Sequence, residues 1–175
     1  MVRALYIGRF NPPHKGHLEA LKYIFSIDDI DSIIIGIGSA QASYSIENPL
    51  TGGERFEILT KLFENYEKIE NKLYYIIPLL DINNNNLFVS QVSSICPSFN
   101  FVFSNNPLVQ LIFTRAGFKV QEIPLIKRDN YSGSIIREKM INNEGWENLV
   151  PRISLDLLKK YKIVERLKIL KEKDK

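Results

Sequence analysis

At 175 residues and 45% hydrophobic content, the chain is long enough for one domain with a substantial core and too short for two comfortable ones. Its 23 basic and 20 acidic side chains leave a formal charge of +3, too small to hold a polyanion by charge alone; nucleic acid is not an expected partner, and any phosphate must be bound locally. The single Cys96 excludes an internal disulfide and a paired-cysteine zinc site, no apolar run reaches the roughly 20 residues that span a bilayer, and Met1 to Ile7 does not read as a cleavable leader, so a reduced, cytoplasmic chain away from membranes is expected.

Arg3 to Ile7 is a short apolar run stopped by Gly8, the pattern of a buried strand meeting a turn. After Pro12-Pro13, the spacing of Leu18, Leu21, Ile24 and Phe25 predicts a helix from His17 to Ile27. Asp31 to Gly38 carries β-branched residues without alternation, as in a strand covered on both faces. Thr51 and Glu54 fit a capping box opening a helix that runs to about Tyr66. Leu73–Ile77, Phe99–Phe103 and Lys119–Ile123 read as further strands, with helices at Leu87–Ile95 and Pro107–Ala116 between them. Such alternation predicts an α/β fold, a Rossmann-like doubly wound parallel sheet of about five strands with ligands at the strand carboxyl ends, where Gly8, Gly38, Asp81 and Ser104 fall. From Tyr131 the pattern is helical only, over Ser134–Met140 and then Pro151 to about Leu170, with Pro151 suited to a first helical position. The expected organisation is a single domain over 1–175: an α/β core at 1–130, a helical closing segment at 131–170 and a frayed tail at 171–175.

Gly8 lets the backbone approach a ligand, and the helix that follows aims its free N–H groups and dipole at the same point, which makes a phosphate seat. Arg9, His14, Lys15 and His17 crowd four cations or donors around it, while Gly16 keeps the helix start open. His14-Lys15-Gly16-His17 lacks the spacing and glutamate base of a helical zinc pair, and no protein metal site is expected. Gly36-Ile37-Gly38-Ser39-Ala40-Gln41 misses the third glycine of a dinucleotide fingerprint; Gly38 and Ser39 either bring backbone N–H groups to a ligand or simply end a strand. Tyr131-Ser132-Gly133-Ser134 precedes a helix with Arg137 one turn in, so hydroxyls, N–H groups and a guanidinium converge as a second phosphate clamp.

Together GRFNPPHKGH and SGSIIR resemble the nucleotidyltransferase superfamily, whose first motif ends in HxGH and whose second is a serine-rich run leading to arginine at a helix start. With Gly36 to Gln41, Glu47-Asn48-Pro49, Thr51 to Arg55, Asn106 to Val109 and Trp146 to Pro151, the chain is similar to the archaeal-type nicotinamide-nucleotide adenylyltransferases over nearly its whole length. That resemblance implies ATP bound by Gly8, Arg9, Phe10, His14, His17, Asn106, Ser132, Ser134 and Arg137. It implies nicotinamide mononucleotide held by Gly38, Ser39, Asp81, Asn85 and Phe88, where Phe88 replaces a stacking tryptophan common in relatives. His14, His17 and Arg137 would be the catalytic residues, and a homo-oligomer such as a hexamer is implied. Departures are Asn11 for glutamine, Ser134 for threonine, Asn105 for a glycine beside the adenine, and Glu47 where some relatives are basic; Glu47 is given no phosphate role.

A phosphate monoester is already largely dianionic at neutral pH, so in-line attack on the α-phosphorus of ATP needs positioning and charge stabilisation and no strong base. Mg²⁺ would travel mainly with the ATP, since no carboxylate cluster stands out. The alternatives are a sister enzyme acting on phosphopantetheine or flavin mononucleotide, decided by residues 81–88, and a nucleotide-sensing protein without turnover. A class I aminoacyl-tRNA synthetase shares the HxGH idea, but this length leaves no room for a tRNA-reading domain.

Overall fold

The apolar run that meets Gly8 forms β1 (Arg3–Gly8), and the β-branched run forms β2 (Ser32–Ile37), whose six residues are all buried. A computed structural model of the protein describes residues 1–65, 72–124 and 131–173 and places these two strands in the middle of a five-stranded sheet. β3 (Leu73–Pro78) flanks β2, while β4 (Phe101–Phe103) and β5 (Lys119–Gln121) continue beyond β1, giving the order β3-β2-β1-β4-β5 with every pairing parallel. The chain therefore reverses its direction of winding between β1 and β4, and a crevice opens at the carboxyl ends there.

Four helices make the crossovers: α1 (Lys15–Phe25), α2 (Gly52–Glu64), α3 (Asn85–Ile95) and α4 (Pro107–Arg115). Strand alternation sends Ile33, Ile35 and Ile37 into one core with Leu21 and Ile24 of α1 and Leu59 and Phe63 of α2. Ile34 instead enters a second core with Val92 of α3 and Phe113 of α4, so both faces of the sheet are covered. Each such side chain contributes about 1.5–3 kcal/mol by leaving water. The expected capping box is present: Thr51 Oγ1 accepts the Glu54 N–H at 3.1 Å, and the Glu54 carboxylate accepts the Thr51 N–H at 2.9 Å. Tyr66, the expected end of that helix, lies outside the described residues.

A third core belongs to the closing segment, α5 (Gly133–Asn142), α6 (Arg152–Lys160) and α7 (Ile163–Lys173), where Ile136, Met140, Trp146, Leu158 and Leu167 pack on Leu50 and Ile58. Several boundaries differ from expectation. The helix expected over 151–170 is two, broken where Lys162 takes a left-handed φ of 53°, a turn that no glycine or proline announces. Pro151 caps α6 with extended backbone and is not its first helical residue. β5 stops at Gln121 because the N–H and carbonyl of Ile123 are taken by the Asn105 side chain, at 2.8 Å each. α7 runs on to Lys173, and residues 174–175 of the expected tail lie outside the described residues. No helix among the described residues is long and apolar enough to cross a membrane.

Candidate active site

The helix after β1 begins earlier than its apolar spacing suggests, at Lys15, which makes His14 the cap and His17 the third helical residue. His17 Nδ1 accepts the His14 N–H at 3.2 Å, doing for this helix what a glutamate does in a capping box. That bond fixes the tautomer: in neutral His17 the proton sits on Nε2, which remains a donor. The two rings stack with centroids 3.7 Å apart, and His17 leans on Phe10 at 4.6 Å. Burial, reinforced by the nearby Arg137 charge, lowers the His14 pKa to about 4; burial and His14 hold His17 well below its ordinary value. Both imidazoles are neutral in the free protein at pH 7. An arriving phosphate supplies the negative charge that would let them take up protons.

Gly16 is required by closeness, because a Cβ there would lie 2.8 Å from Cβ of Tyr131 and 3.0 Å from Nδ1 of His14. His14 Nδ1 is itself buried and unpartnered among the described residues. Arg137, 9% exposed, reaches across from α5 and donates from Nη1 to the Asn11 carbonyl at 2.7 Å, while its Nε is buried with no partner among the described residues. Gly133 leaves room for that reach, since a Cβ there would meet Arg137 Nη1 at 3.0 Å. Burial and the Arg9 charge press against the charged form of Arg137, and Glu47 supports it. Ser132 and Ser134 share a hydrogen bond of 2.6 Å between their hydroxyls at the start of α5.

A cavity of about 620 Å³ lies over the strand ends. Gly8, Arg9, His14 and His17 line one side of it, and Gly38, Ser39, Asp81, Asn85, Phe88 and Asn106 also line it. Phe10 does not: it is 1% exposed and forms the floor beneath His17. Ser132, Ser134 and Arg137 stand outside the lining, as does Lys15; Arg137 joins the site through Asn11 and through its charge on His14. Asn105 lines the cavity, yet its amide is turned to Ile123. Among the described residues Asp81 is the one carboxylate in the lining, and no three of His, Cys, Asp and Glu assemble as a metal site.

The sequence reading missed what holds the turns. Asn11 Oδ1 accepts the Leu50 N–H at 3.0 Å and its Nδ2 donates to the Leu50 carbonyl at 3.4 Å, a two-way clasp between the histidine turn and the segment before α2. Gln41 clasps the Asp81 backbone in the same way, at 3.1 and 3.4 Å. Arg55 is fully buried beneath both turns and spends its guanidinium on backbone carbonyls. Only an asparagine or glutamine shortly after a strand, or an arginine in the first turn of a helix, could have signalled these contacts, and such residues are common.

A parallel sheet with a strand, an HxGH turn and a helix around a crevice at its switch point defines a nucleotidyltransferase, and residues 5–139 match the family described as Cytidylyltransferase-like. Over nearly all its length the chain is 48% identical to the nicotinamide-nucleotide adenylyltransferase of Pyrococcus horikoshii (170 residues, 97% of this chain and 89% of that one) and 44% identical to that of Thermoplasma acidophilum (172 residues, 98% and 93%). The chain belongs to this archaeal-type nicotinamide-nucleotide adenylyltransferase family. Among solved structures it resembles a bifunctional NMN adenylyltransferase/ADP ribose pyrophosphatase from Francisella tularensis complexed with AMP and manganese ion (TM-score 0.75, 19% identity), covering 96% of this chain and 52% of that one. It also resembles the Plasmodium falciparum nicotinic acid mononucleotide adenylyltransferase (TM-score 0.68, 15% identity, 93% and 96% covered). At these identities the likeness shows the fold.

Proposed function

We propose that this protein transfers AMP from ATP to nicotinamide mononucleotide, giving NAD and pyrophosphate by direct in-line attack. The observation that carries the reading is one cavity of about 620 Å³ whose lining includes both the stacked His14–His17 pair and Asp81, Asn85 and Phe88. On this reading the ATP phosphates lie over Gly8, Arg9, His14 and His17, with Phe10 as the floor, Asn106 toward the adenine, and Ser132, Ser134 and Arg137 closing over the leaving pyrophosphate. Gly38 and Ser39 approach the mononucleotide, Asp81 and Asn85 meet its carboxamide, and Phe88 stacks on its ring.

The mononucleotide phosphate attacks as a dianion, so no residue is needed as a base. His17 donates from Nε2, and His14 from its protonated nitrogen, to oxygens that gain charge as the α-phosphorus is attacked. Arg137, held by Asn11, stabilises the departing pyrophosphate. Magnesium would enter as part of the nucleotide substrate and neutralise phosphate charge, in keeping with a lining that offers a single carboxylate among the described residues. The chain works as one domain, the α/β core at 1–130 closed by helices at 131–170, in the cytoplasm and as a homo-oligomer, with no nucleic-acid partner.

The test is to mix purified protein with ATP, magnesium and, separately, nicotinamide mononucleotide, phosphopantetheine and flavin mononucleotide. Pyrophosphate and NAD should appear with the first alone. Turnover with another acceptor would move the assignment to a sister enzyme, and nucleotide binding with no product would leave a binding protein.

A further inference from the structure

Phe10 and Ser39 are matched oddities. Each lies just beyond the end of a central strand, β1 or β2, and each takes a left-handed φ of 50° that side-chain-bearing residues seldom adopt. The residue before each, Arg9 and Gly38, gives its carbonyl to the same atom: Nη1 of Arg55 donates to both at 2.9 Å. Nη2 donates to the Ser39 carbonyl at 2.9 Å and the Ala42 carbonyl at 3.2 Å, and Nε to the Thr51 carbonyl at 3.2 Å. Arg55 is 0% exposed and forms no ion pair among the described residues, so a whole guanidinium is buried on carbonyl oxygens alone.

A trans peptide points its carbonyl and its N–H in opposite directions. With the Arg9 and Gly38 carbonyls fastened inward to Arg55, the N–H groups of Phe10 and Ser39 face away from it. Neither donates to a protein acceptor among the described residues, whereas the next amide along, that of Ala40, donates to the Leu79 carbonyl at 2.9 Å. Arg9, Gly38 and Ser39 border the cavity; the Phe10 ring lies beneath it, and its N–H belongs to the peptide that joins it to Arg9 at the cavity edge. Successive backbone N–H groups freed by left-handed turns make concavities suited to anions.

We propose that Arg55 is a positioning residue for phosphate: by holding the Arg9 and Gly38 carbonyls on its buried side, it presents the Phe10 and Ser39 N–H groups as two fixed donors to phosphate oxygens. The planar fork is essential, because one ammonium cannot span carbonyls on both turns with the same geometry. The assignment of these phosphates to ATP and the mononucleotide rests on the function proposed above; the donor pair itself does not.

Arg55→Lys, which keeps the charge, and Arg55→Gln, which keeps part of the hydrogen bonding, should each bind ATP and nicotinamide mononucleotide at least about tenfold more weakly. Both should bind adenosine and nicotinamide riboside, which lack the phosphates, within about twofold of wild type. A variant that binds ATP as wild type does, or that loses nucleoside and nucleotide alike, would overturn the proposal, the second outcome marking a purely structural role. In the unsubstituted protein, the amide resonances of Phe10 and Ser39 should move on titration with inorganic pyrophosphate while that of Ala40 stays. This decides the matter by itself if neither variant folds, and silent Phe10 and Ser39 amides would sink it. Amides that respond in a protein that makes no NAD would leave the donor pair standing and remove the adenylyltransferase reading instead.

Discussion

Where β1 ends, Phe10, His14 and Arg137 are 1%, 7% and 9% exposed, and the backbone around them is tied down by Asn11, Arg55 and Arg137. Past β3, Asp81, Asn85 and Leu87 stand exposed, held by the Gln41 clasp and by Asn84, whose side chain caps α3 through the Asn86 N–H at 3.0 Å. The difference follows from what each region has to do. Stabilising charge on a reacting phosphate requires donors fixed before the substrate arrives, and burial with satisfied hydrogen bonds fixes them. Choosing among acceptors requires only a few contacts to one end of the substrate, which an open rim of side chains can make and alter.

The comparison breaks first, if it is wrong, at His17. Removing one transition-state donor costs about 2.7–4 kcal/mol, so His17→Ala should lose at least about a hundredfold in kcat while still folding, its melting temperature lowered by a few degrees because the cap bond from the His14 N–H and the ring stacking are lost. Steady-state kinetics and a thermal scan check this, and near-normal turnover would mean that the stacked pair holds no developing charge.

Acid should act on the same region. In the unfolded chain histidine titrates near 6.5, while folded His14 stays neutral down to about 4 and His17 also titrates well below its ordinary value. The unfolded state therefore binds more protons in this interval, so stability is full above about pH 6.5 and falls as pH drops toward 4, by on the order of 3 kcal/mol for His14 alone. Denaturant melts from pH 7 to 4 should show the slope, and His14→Gln should flatten it.

Smaller effects separate the clasps. Asn11 is 3% exposed, and Asn11→Ala leaves the Leu50 N–H and carbonyl unpaired at about 1–3 kcal/mol, whereas Gln41→Ala, at an exposed residue, should cost within about 0.5 kcal/mol. Equal costs would mean that the two regions are equally rigid. At the acceptor end, Asp81→Asn should shift the ratio of kcat/KM values toward nicotinic acid mononucleotide by several-fold, because a carboxylate facing a carboxylate is removed; unchanged selectivity would place Asp81 away from the ring. The least effect is expected from Phe88→Trp, a two- to threefold lower KM for nicotinamide mononucleotide with that for ATP untouched; this corresponds to the ~0.5 kcal/mol that a better aromatic contact adds.

Much of this was readable in the chain because it is local. Gly8, His14, Gly16 and His17 fall within one turn and its helix, and Thr51 with Glu54 within one cap. β2, with no polar residue between Ile33 and Ile37, could only be a strand covered on both faces. The framework around the site was not readable, because its partners are carbonyls and N–H groups that every residue carries. Arg55 reaches six such oxygens, five in the two turns and that of Thr51 in its own helix cap, and nothing in Gly52-Gly53-Glu54-Arg55 says which. The break at Lys162 escaped for a related reason: the turn is stabilised by packing of Leu158, Ile163 and Leu167 on α2 and α5, against the residue's own preference.

The Arg137 bond to the Asn11 carbonyl closes 126 residues of chain. Synthesis runs the other way: the histidine turn leaves the ribosome well before α5, and domains begin to fold from the N-terminal side as they emerge. The sheet can collect β1 to β5 in order, but Asn11 waits for Arg137, and the segment before α2 waits for Arg166, which pairs with Glu54 at 2.7 Å and donates to the Pro49 carbonyl at 2.9 Å. A nascent chain halted before α5 would carry both histidines and all five strands and still lack the arginine that steadies their turn. The histidine turn is thus completed only once α5, made more than a hundred residues later, has folded back onto it.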